Sequence, residues 1–493
     1  MIERPANGQA PVRPAPQDRS RWLALIVLCL GVLMIVLDST VVNVALPSIK
    51  TDLGFNDSTL AWVVNGYLLT FGGFLLLGGR LGDLFGHRRL FLIGLAVFTL
   101  ASLGCGLATS QGMLVAARAV QGLGGAVVSA VALSLIMDLF TEPADRAKAM
   151  GVYGFVIAGG GSVGVLLGGL LTGALSWHWV FLINLPIGIA VFAVSLPLLP
   201  ATRNEAADRR LDIAGAITVT AALMLAVYAI VNGNEAGWTS ARTLGLLGGA
   251  VVLLAAFVVI ETRVPAPLMP LGLFRRRSLA VSNVIGTLWA AAMFAWFFLS
   301  ALYMQQVLNY GPMEVGLAFL PANLIMAAFS LGLSAKLVMR FGLRLPIAVG
   351  LLLAAAGLAL FAWAPVEGRF VLHVLPGMLL LGLGAGMALN PVLLAAMSEV
   401  APTDSGLASG MVNTAFMMGG ALGLAILASL AASRTGGLLA EGASQAVALV
   451  GGYQAAFLAG ACFAALAAAL GAVLLRSPPP AAEPSGEAES ATS

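Results

Sequence analysis

Residues 26–47 read IVLCLGVLMIVLDSTVVNVALP. Almost every position is Leu, Val, Ile or Met, yet Asp38 sits inside the run and Asn43 follows shortly after. About twenty apolar residues, at 1.5 Å per residue, suffice for a helix to cross a bilayer. An ionised acid at that depth costs about 2.5–3.5 kcal/mol even on the lenient insertion scale. The stretch therefore poses both halves of the problem: a membrane span, and a carboxyl kept inside it against a penalty.

The rest of the chain agrees with a membrane reading. Of 493 residues, 60% are hydrophobic and only 10% charged, with a mean hydropathy of +0.98. Soluble domains carry about 25% charged residues, so a soluble helical protein is excluded. The polar, Pro-rich start MIERPANGQAPVRPAPQDRSR precedes an apolar run from Trp22. That run is too long for a signal peptide and lacks a small-residue cleavage site, so it is read as a retained span. Cys29, Cys105 and Cys462 lie in apolar runs without disulfide or metal-ligand spacing. No metal or cofactor is expected.

Apolar runs predict about fourteen helices, at 22–46, 59–78, 90–108, 113–138, 147–173, 178–198, 212–232, 242–261, 279–304, 313–336, 345–364, 371–397, 406–431 and 452–475. The 25 basic residues test this parity. Twenty fall in one set of loops, four (Lys50, Arg242, Arg369 and Arg434) in the other, and Arg118 lies inside a helix. The positive-inside rule places the first set, and both termini, in the cytoplasm. The net charge of +3 is thus accounted for by topology, and no nucleic-acid partner is implied. The tail SPPPAAEPSGEAESATS reads as disordered.

An internal repeat is present. RLGDLFGHRRLFLIG (80–94) parallels KLVMRFGLRLPIAVG (336–350), with Gly86 and Gly342 aligned. Gly151/Gly410, Gly160/Gly419, Gly164/Gly423 and Asp145/Asp404 share one offset of 259. That spacing is about two helices more than six spans need. The chain is therefore divided into a cytoplasmic tail (1–21), a six-helix bundle (22–200), an inserted helix pair with its linkers (201–277), a second six-helix bundle (278–475) and a cytoplasmic tail (476–493). Parallel repeats of this kind place a substrate path between the halves.

Four motifs then appear in order, and residues 20–475 resemble the major facilitator superfamily, specifically its fourteen-helix drug/proton antiporter branch. LDSTVVNVALP is similar to that branch's first-helix motif. GRLGDLFGHRR (79–89) resembles the superfamily loop motif at Gly79, Leu81, Asp83, Gly86 and Arg88, and departs from it at Leu84 and His87. RAVQGLGGA (118–126) matches the fourth-helix motif at Arg118, Gln121 and Gly122. Gly151, Gly160, Gly164, Gly168 and Gly169 space like the fifth-helix antiporter motif, with Val165 where a Pro is usual. The resemblance implies an all-α major facilitator fold, two six-helix bundles plus two inserted helices, and a multidrug exporter exchanging protons for substrate.

The residues themselves support definite roles. Asp38 lies about 24 Å along its helix, at a depth similar to Arg118 on a helix running the other way. The pair is expected to couple proton movement, Asp38 carrying the proton and Arg118 tuning it; a static ion pair is the structural alternative. Gly79 and Gly86 are expected to permit a tight turn, with Asp83, Arg88 and Asp138 forming conformation-dependent contacts at the cytoplasmic mouth. The helix-5 glycines suit close helix approach. GGSVG (160–164) and GGGSVG (159–164) fit hydrolase and dinucleotide patterns literally, but both need a strand–turn–helix context and are rejected here. Candidate substrate contacts are Asn43, Asn65, Tyr67, Trp289, Trp296, Tyr303, Gln305, Asn323, Asn390 and Asn413, with WAAAMFAWFF (289–298) the densest aromatic run.

No nucleotide-binding motif is present, and no convergent nucleophile–base pair suggests an enzyme. The expected function is proton-driven export of amphiphilic, neutral or singly cationic small molecules from a bacterial plasma membrane by a monomer. Export of one dedicated metabolite is the nearest alternative; a nutrient importer or a membrane sensor is more distant.

Overall fold

The computed structural model describes residues 18–199, 212–265, 267–400 and 405–475. The expected tails (1–17 and 476–493), most of the first linker and Asp404 lie outside the described residues, as do the Asp83 side chain and the surroundings of Gly151. Among the described residues the chain is helical throughout, with sixteen α-helices. These are α1 (Asp18–Leu53), α2 (Asp57–Phe85), α3 (His87–Gly106), α4 (Gln111–Leu139), α5 (Pro143–Ala174), α6 (Trp179–Leu182), α7 (Asn184–Leu198) and α8 (Ile213–Ala236). There follow α9 (Ala241–Arg263), α10 (Arg277–Gln306), α11 (Pro312–Ala328), α12 (Ser334–Phe341), α13 (Arg344–Phe361), α14 (Leu375–Met397), α15 (Ser405–Ala440) and α16 (Gln445–Leu474).

Twelve helical segments are long and apolar enough to span a membrane, joined by two shorter apolar helices, Val163–Ala174 within α5 and Pro312–Ala328. The expected fourteen spans thus correspond to twelve long ones and two short ones. Two of the expected spans are interrupted. One breaks into α6 and α7 at Ile183, and the other into α11 and α12 across a π-helical turn, Phe329–Leu333. Gly332 takes a φ of 133° there, which disrupts the regular hydrogen-bond ladder.

Local chemistry sets the helix ends. Ser110, Ser240 and Ser444 accept from backbone N–H groups of the first turns of α4, α9 and α16. Asn56 and Thr59 form a reciprocal capping box on α2. At the repeat-related turns, Gly86 (φ 92°) and Gly342 (φ 73°) both adopt a left-handed conformation that Cβ-bearing residues avoid. The α2–α3 turn is made by Gly86 alone. Gly79 lies inside α2, because the helix continues to Phe85, and it faces Ala130 of α4.

The repeat extends to packing. Gly160, Gly164 and Gly168 let α5 close on Leu33, Val36, Thr40 and Val41 of α1. Gly419 and Gly423 let α15 close on Thr287 and Ala291 of α10 in the same way. Small residues are the means by which helices approach in lipid, where burial of apolar side chains gives no preference for protein over hydrocarbon.

The inserted pair is peripheral. Helix α8 bridges both halves, with Thr220 against Gly73 of α2 and Asn234 donating to the Ser429 carbonyl of α15 at 2.8 Å. Helix α9 packs outside α8, and only 17% of its most apolar window is buried. A Cβ on Gly124 of α4 would lie 2.6 Å from the Phe98 backbone nitrogen and 2.8 Å from the Gly94 carbonyl oxygen of α3. Gly124→Val is therefore expected to destabilise the protein by about 1–3 kcal/mol, measured by thermal unfolding of the purified protein. Gly112→Ala, with no neighbour within 4 Å of the new Cβ, is the matched control.

Candidate functional site

The polar positions of α1, α3, α4 and α7 converge inside the first half. Arg118 and Gln121 are three residues apart on one face of α4, as are Ser102 and Cys105 on α3. Asp38 on α1 meets both faces, and Asn184 closes the cluster from the first turn of α7. Asp38 and Arg118 are each 1% exposed.

Every polar atom of the carboxylate is occupied. Arg118 Nη1 donates to Asp38 Oδ2 at 2.5 Å, while Gln121 Nε2 and Asn184 Nδ2 donate to Oδ1 at 2.7 and 2.9 Å. Arg118 also donates through Nε to the Val63 carbonyl at 2.9 Å and through Nη1 to Gln121 Oε1 at 2.6 Å. Ser102 Oγ accepts from Gln121 at 2.7 Å and from Asn184 at 3.3 Å. The guanidinium lies over the Tyr67 ring, 4.4 Å from its centroid, and 5.6 Å from that of Phe181. Charge, hydrogen bonding and cation–π contact together offset a desolvation penalty of several kcal/mol per ion. Asn184 and Ser102 were not among the residues singled out from sequence. The available signal was a polar side chain inside an apolar run, as in FLINLPIG (181–188), but nothing local told which neighbour it meets.

The other expected residues divide by location. Arg88 donates to the Leu196 carbonyl at the end of α7, and His87 Nδ1 lies 3.0 Å from Asp138 Oδ2 of α4. These tie the α2–α3 turn to α4 and α7. On α5, Gly169 meets the backbone of Pro312 and Met313, and the Val165 carbonyl faces Gly316 of α11. α5 runs through Val165 as continuous helix, and the seam between the halves is built of bare backbone there.

The cavity candidates are dispersed. Trp289 and Trp296 are fully buried on one face of α10, Trp296 packing on Phe319 of α11 at 5.9 Å between centroids. Tyr303 donates to the Pro365 carbonyl at 2.7 Å and is equally enclosed. These three serve the packing of the second half in this conformation. Tyr67 belongs to the charge cluster. Its hydroxyl finds no partner among the described residues. Asn65 is fully buried, both amide atoms without a partner among the described residues, on the α2 face that carries Gly72 toward α15. Asn323 is buried, its Nδ2 without a partner among the described residues, Asn390 is half-buried, and Asn43 donates to the Ser39 carbonyl of its own helix. Asn413 alone among them is well exposed in mid-helix. On α15 the Gly410 and Met417 face meets α2, the Gly419 and Gly423 face meets α10, and the Ser429 face meets α8. Helical register leaves Asn413 pointing between α2 and α10, into the space between the halves. Phe416 and Phe294 line that side, their centroids 6.0 Å apart.

On the face opposite the Arg-rich loops the halves are clasped. Gln305 Nε2 donates to the Val44 carbonyl at 2.9 Å, and Lys50 Nζ donates to Gln306 Oε1 at 3.5 Å. A polar cleft of about 1000 Å³, lined by Lys50, Asp52, Asn309 and Gln445, lies beside this clasp. Among the described residues no comparable packing joins α4 to α14.

A duplicated helical membrane protein with a sealed charge cluster in one half and a seam of backbone contacts between halves is the architecture of a solute transporter. The model of the Major Facilitator Superfamily matches residues 28–424, and the chain belongs to that family. It is 39% identical to the puromycin resistance protein pur8 of Streptomyces alboniger, over 99% of this chain and 98% of that protein. It is 40% identical to the cephamycin export protein CmcT of Amycolatopsis lactamdurans, over 93% of this chain and 94% of that one. Among solved structures, a bacterial homolog of the human lysosomal transporter Spinster, in an inward-facing and unoccupied conformation, shares the fold with a TM-score of 0.67 at 17% identity, covering 93% of this chain and 98% of that one.

Arg118→Ala leaves a buried carboxylate without its counter-charge and is expected to destabilise the protein by about 3–5 kcal/mol. Asp38→Asn keeps an acceptor for Gln121 and Asn184, so its melting temperature is expected to lie clearly above that of Arg118→Ala. Differential scanning fluorimetry on the purified variants measures both.

Proposed function

We propose that this transporter is a proton-coupled exporter of amphiphilic small molecules that are neutral or carry one positive charge. The observation that carries the reading is the Asp38–Arg118 pair, enclosed within a transporter half and satisfied by three donors. Ionised Asp38 anchors the guanidinium, and with it α4, to α1. Protonation cancels the charge that holds the pair together, while Arg118 keeps the Val63 carbonyl and Gln121 as acceptors. A proton thus biases the two arrangements of the first half through differential affinity, the requirement for any coupled switch.

In this reading the Arg-rich face is cytoplasmic, both termini lie there, and the membrane is a bacterial plasma membrane. The clasp of Gln305 on Val44 and of Lys50 on Gln306 then closes the outer end, and the space beside Asn413 opens inward. The glycine seams of α5 with α1 and of Gly169 with the start of α11 are slim enough for the halves to rock. His87, Arg88 and Asp138, with Asp83, Gly79 and Gly86 of the same segment, hold the α2–α3 turn to α4 and α7 while the inner mouth is open, and rearrange when it closes. Substrate meets Asn413, Phe416 and Phe294 first. Asn43, Asn65 and Asn323 become contacts only if the halves move apart. The protein acts as a monomer and needs no cofactor or catalytic residue. A proton crossing 100 mV supplies about 2.3 kcal/mol, which drives uphill export.

Relatives named for puromycin resistance, cephamycin export and tetracenomycin C export support the direction of transport. Efflux of a panel containing these compounds and simple lipophilic cations from cells, with and without a protonophore, tests the proposal. Wild type is expected to expel several of them in a protonophore-sensitive manner, and Asp38→Asn none while remaining folded in the membrane. Active efflux by Asp38→Asn would remove Asp38 as the carrier; expulsion of one compound only would favour a dedicated exporter. Asp138→Lys is expected to slow initial efflux several-fold at unchanged membrane abundance.

A further inference from the structure

Helix α8 of the inserted pair follows the line where the two halves meet. Near the Arg-rich face, Ala216 is buried with Leu77 of α2 and with Leu268. Thr220 lies against Gly73 of α2, and Val227 and Val231 are buried in the main core. At the far end of α8 this seat gives way to hydrogen bonds that reach both halves. Asn234 Nδ2 donates to the Ser429 carbonyl of α15 at 2.8 Å and to Ser429 Oγ at 3.1 Å. Ser429 Oγ donates in turn to the Ile230 carbonyl of α8 at 3.1 Å. The next residue, Glu235, accepts through Oε1 from Nδ2 of Asn56, the N-cap of α2, at 3.0 Å. Two consecutive side chains of one helix therefore hold one half each.

The turn after α8 is shaped to aim these groups. Gly237 takes a φ of 86°, and the chain folds back so that the Trp238 ring lies against Gly233. Trp238 Nε1 donates to Asn234 Oδ1 at 2.9 Å. An indole N–H can only donate, so it fixes which way the amide points and presents Nδ2 to Ser429. Ser429 is 2% exposed, so its bonds to α8 are shielded, whereas Asn56 and Glu235 are both exposed. Elsewhere on α8, Arg242 of α9 donates to the Tyr228 hydroxyl at 3.0 Å, a tie within the insert.

We infer that the Asn234–Glu235 corner of α8 is a strap between the halves, which holds them together on the face opposite the Arg-rich loops. For that face to open, Asn56 and Ser429 must part, and α8 cannot follow both. The bond between Asn56 and Glu235 is the one that yields, because water can replace each partner there. A link made in one arrangement and lost in the other shifts their populations by its own free energy. The strap thus favours the arrangement in which this face is closed. The clasp of Gln305 and Lys50 joins α1 to α10, while the strap joins α2 to α15, so the same face is closed on two different helix pairs. The inference needs only that the halves move relative to each other, and holds whichever residue carries a proton.

The test uses the full chain in lipid nanodiscs with the exposed Cys462 removed (Cys462→Ala); Cys29 and Cys105 are buried. Spin labels go on Thr51→Cys, at the end of α1, and Glu441→Cys, just after α15, both exposed on this face. Pulsed dipolar spectroscopy is expected to show a main short distance and a minor longer one, from molecules in which the face has opened. Glu235→Ala and Asn234→Ala should each raise the ratio of long to short by roughly two- to tenfold, the net worth of a hydrogen bond. Glu235→Gln, which keeps an acceptor oxygen for Asn56, should restore the original ratio. Tyr228→Phe, which loses the hydroxyl bond within the insert, should leave it unchanged. Trp238→Phe, which removes the donor that orients Asn234 but keeps a ring, should raise it by a smaller factor, and stands in if Asn234→Ala does not fold. An unchanged ratio in both Glu235→Ala and Trp238→Phe overturns the proposal. So does an equal rise in Tyr228→Phe, since the insert would then act as a strut whose general loosening moves the halves.

Discussion

Everything in the first half is arranged around one desolvated carboxylate. Asp38 is 1% exposed, so its charge must be met by protein. Arg118 supplies the counter-charge, Gln121 and Asn184 the remaining donors, and Tyr67 and Phe181 the aromatic faces under the guanidinium. These residues come from five helices. The constraint therefore fixes how α1, α2, α4 and the α6–α7 segment stand relative to each other, with Asn184 facing inward from the start of α7.

Among the described residues the second half has no such centre. Its core is aromatic and aliphatic, with Trp289, Trp296, Phe319, Phe361 and Phe457 fully or nearly fully buried. The two halves share geometry in their glycine seams and their left-handed turns, and differ in what those seams enclose. Both seams use the same close backbone approach, which depends on small residues at fixed spacing. Among the described residues the buried charge lies on one side only, so the halves are alike in their seams and electrostatically unequal.

Between them, the contacts are of two kinds with different physical characters. Gly169, Gly316 and Val165 bring bare backbone together over a small area, which allows one half to tilt on the other. Gln305, Gln306, Lys50 and Val44 make polar contacts that form or break as a unit. A hinge needs the first kind and a latch needs the second. The inserted pair adds a third element, a side stave in which α8 is seated on α2 and α15.

The many-span helical architecture, the uneven spread of basic residues over the loops, and the presence of Asp38 and Arg118 inside apolar runs were legible in the sequence. They follow from hydrophobic length, from charge counts and from the cost of an ion in hydrocarbon, each a property of a short stretch of chain. Which polar residues meet was decided only by tertiary structure. Lipid tails are as apolar as Leu, so an apolar run does not reveal which face meets protein and which meets lipid. That is why Trp289 and Trp296, in the densest aromatic run, proved to be core, while Asn413 faces the space between the halves. It is also why Asn184 and Ser102, unremarkable along the chain, complete the carboxylate's shell. Contact between distant positions is set by helix rotation and tilt, which no local stretch encodes.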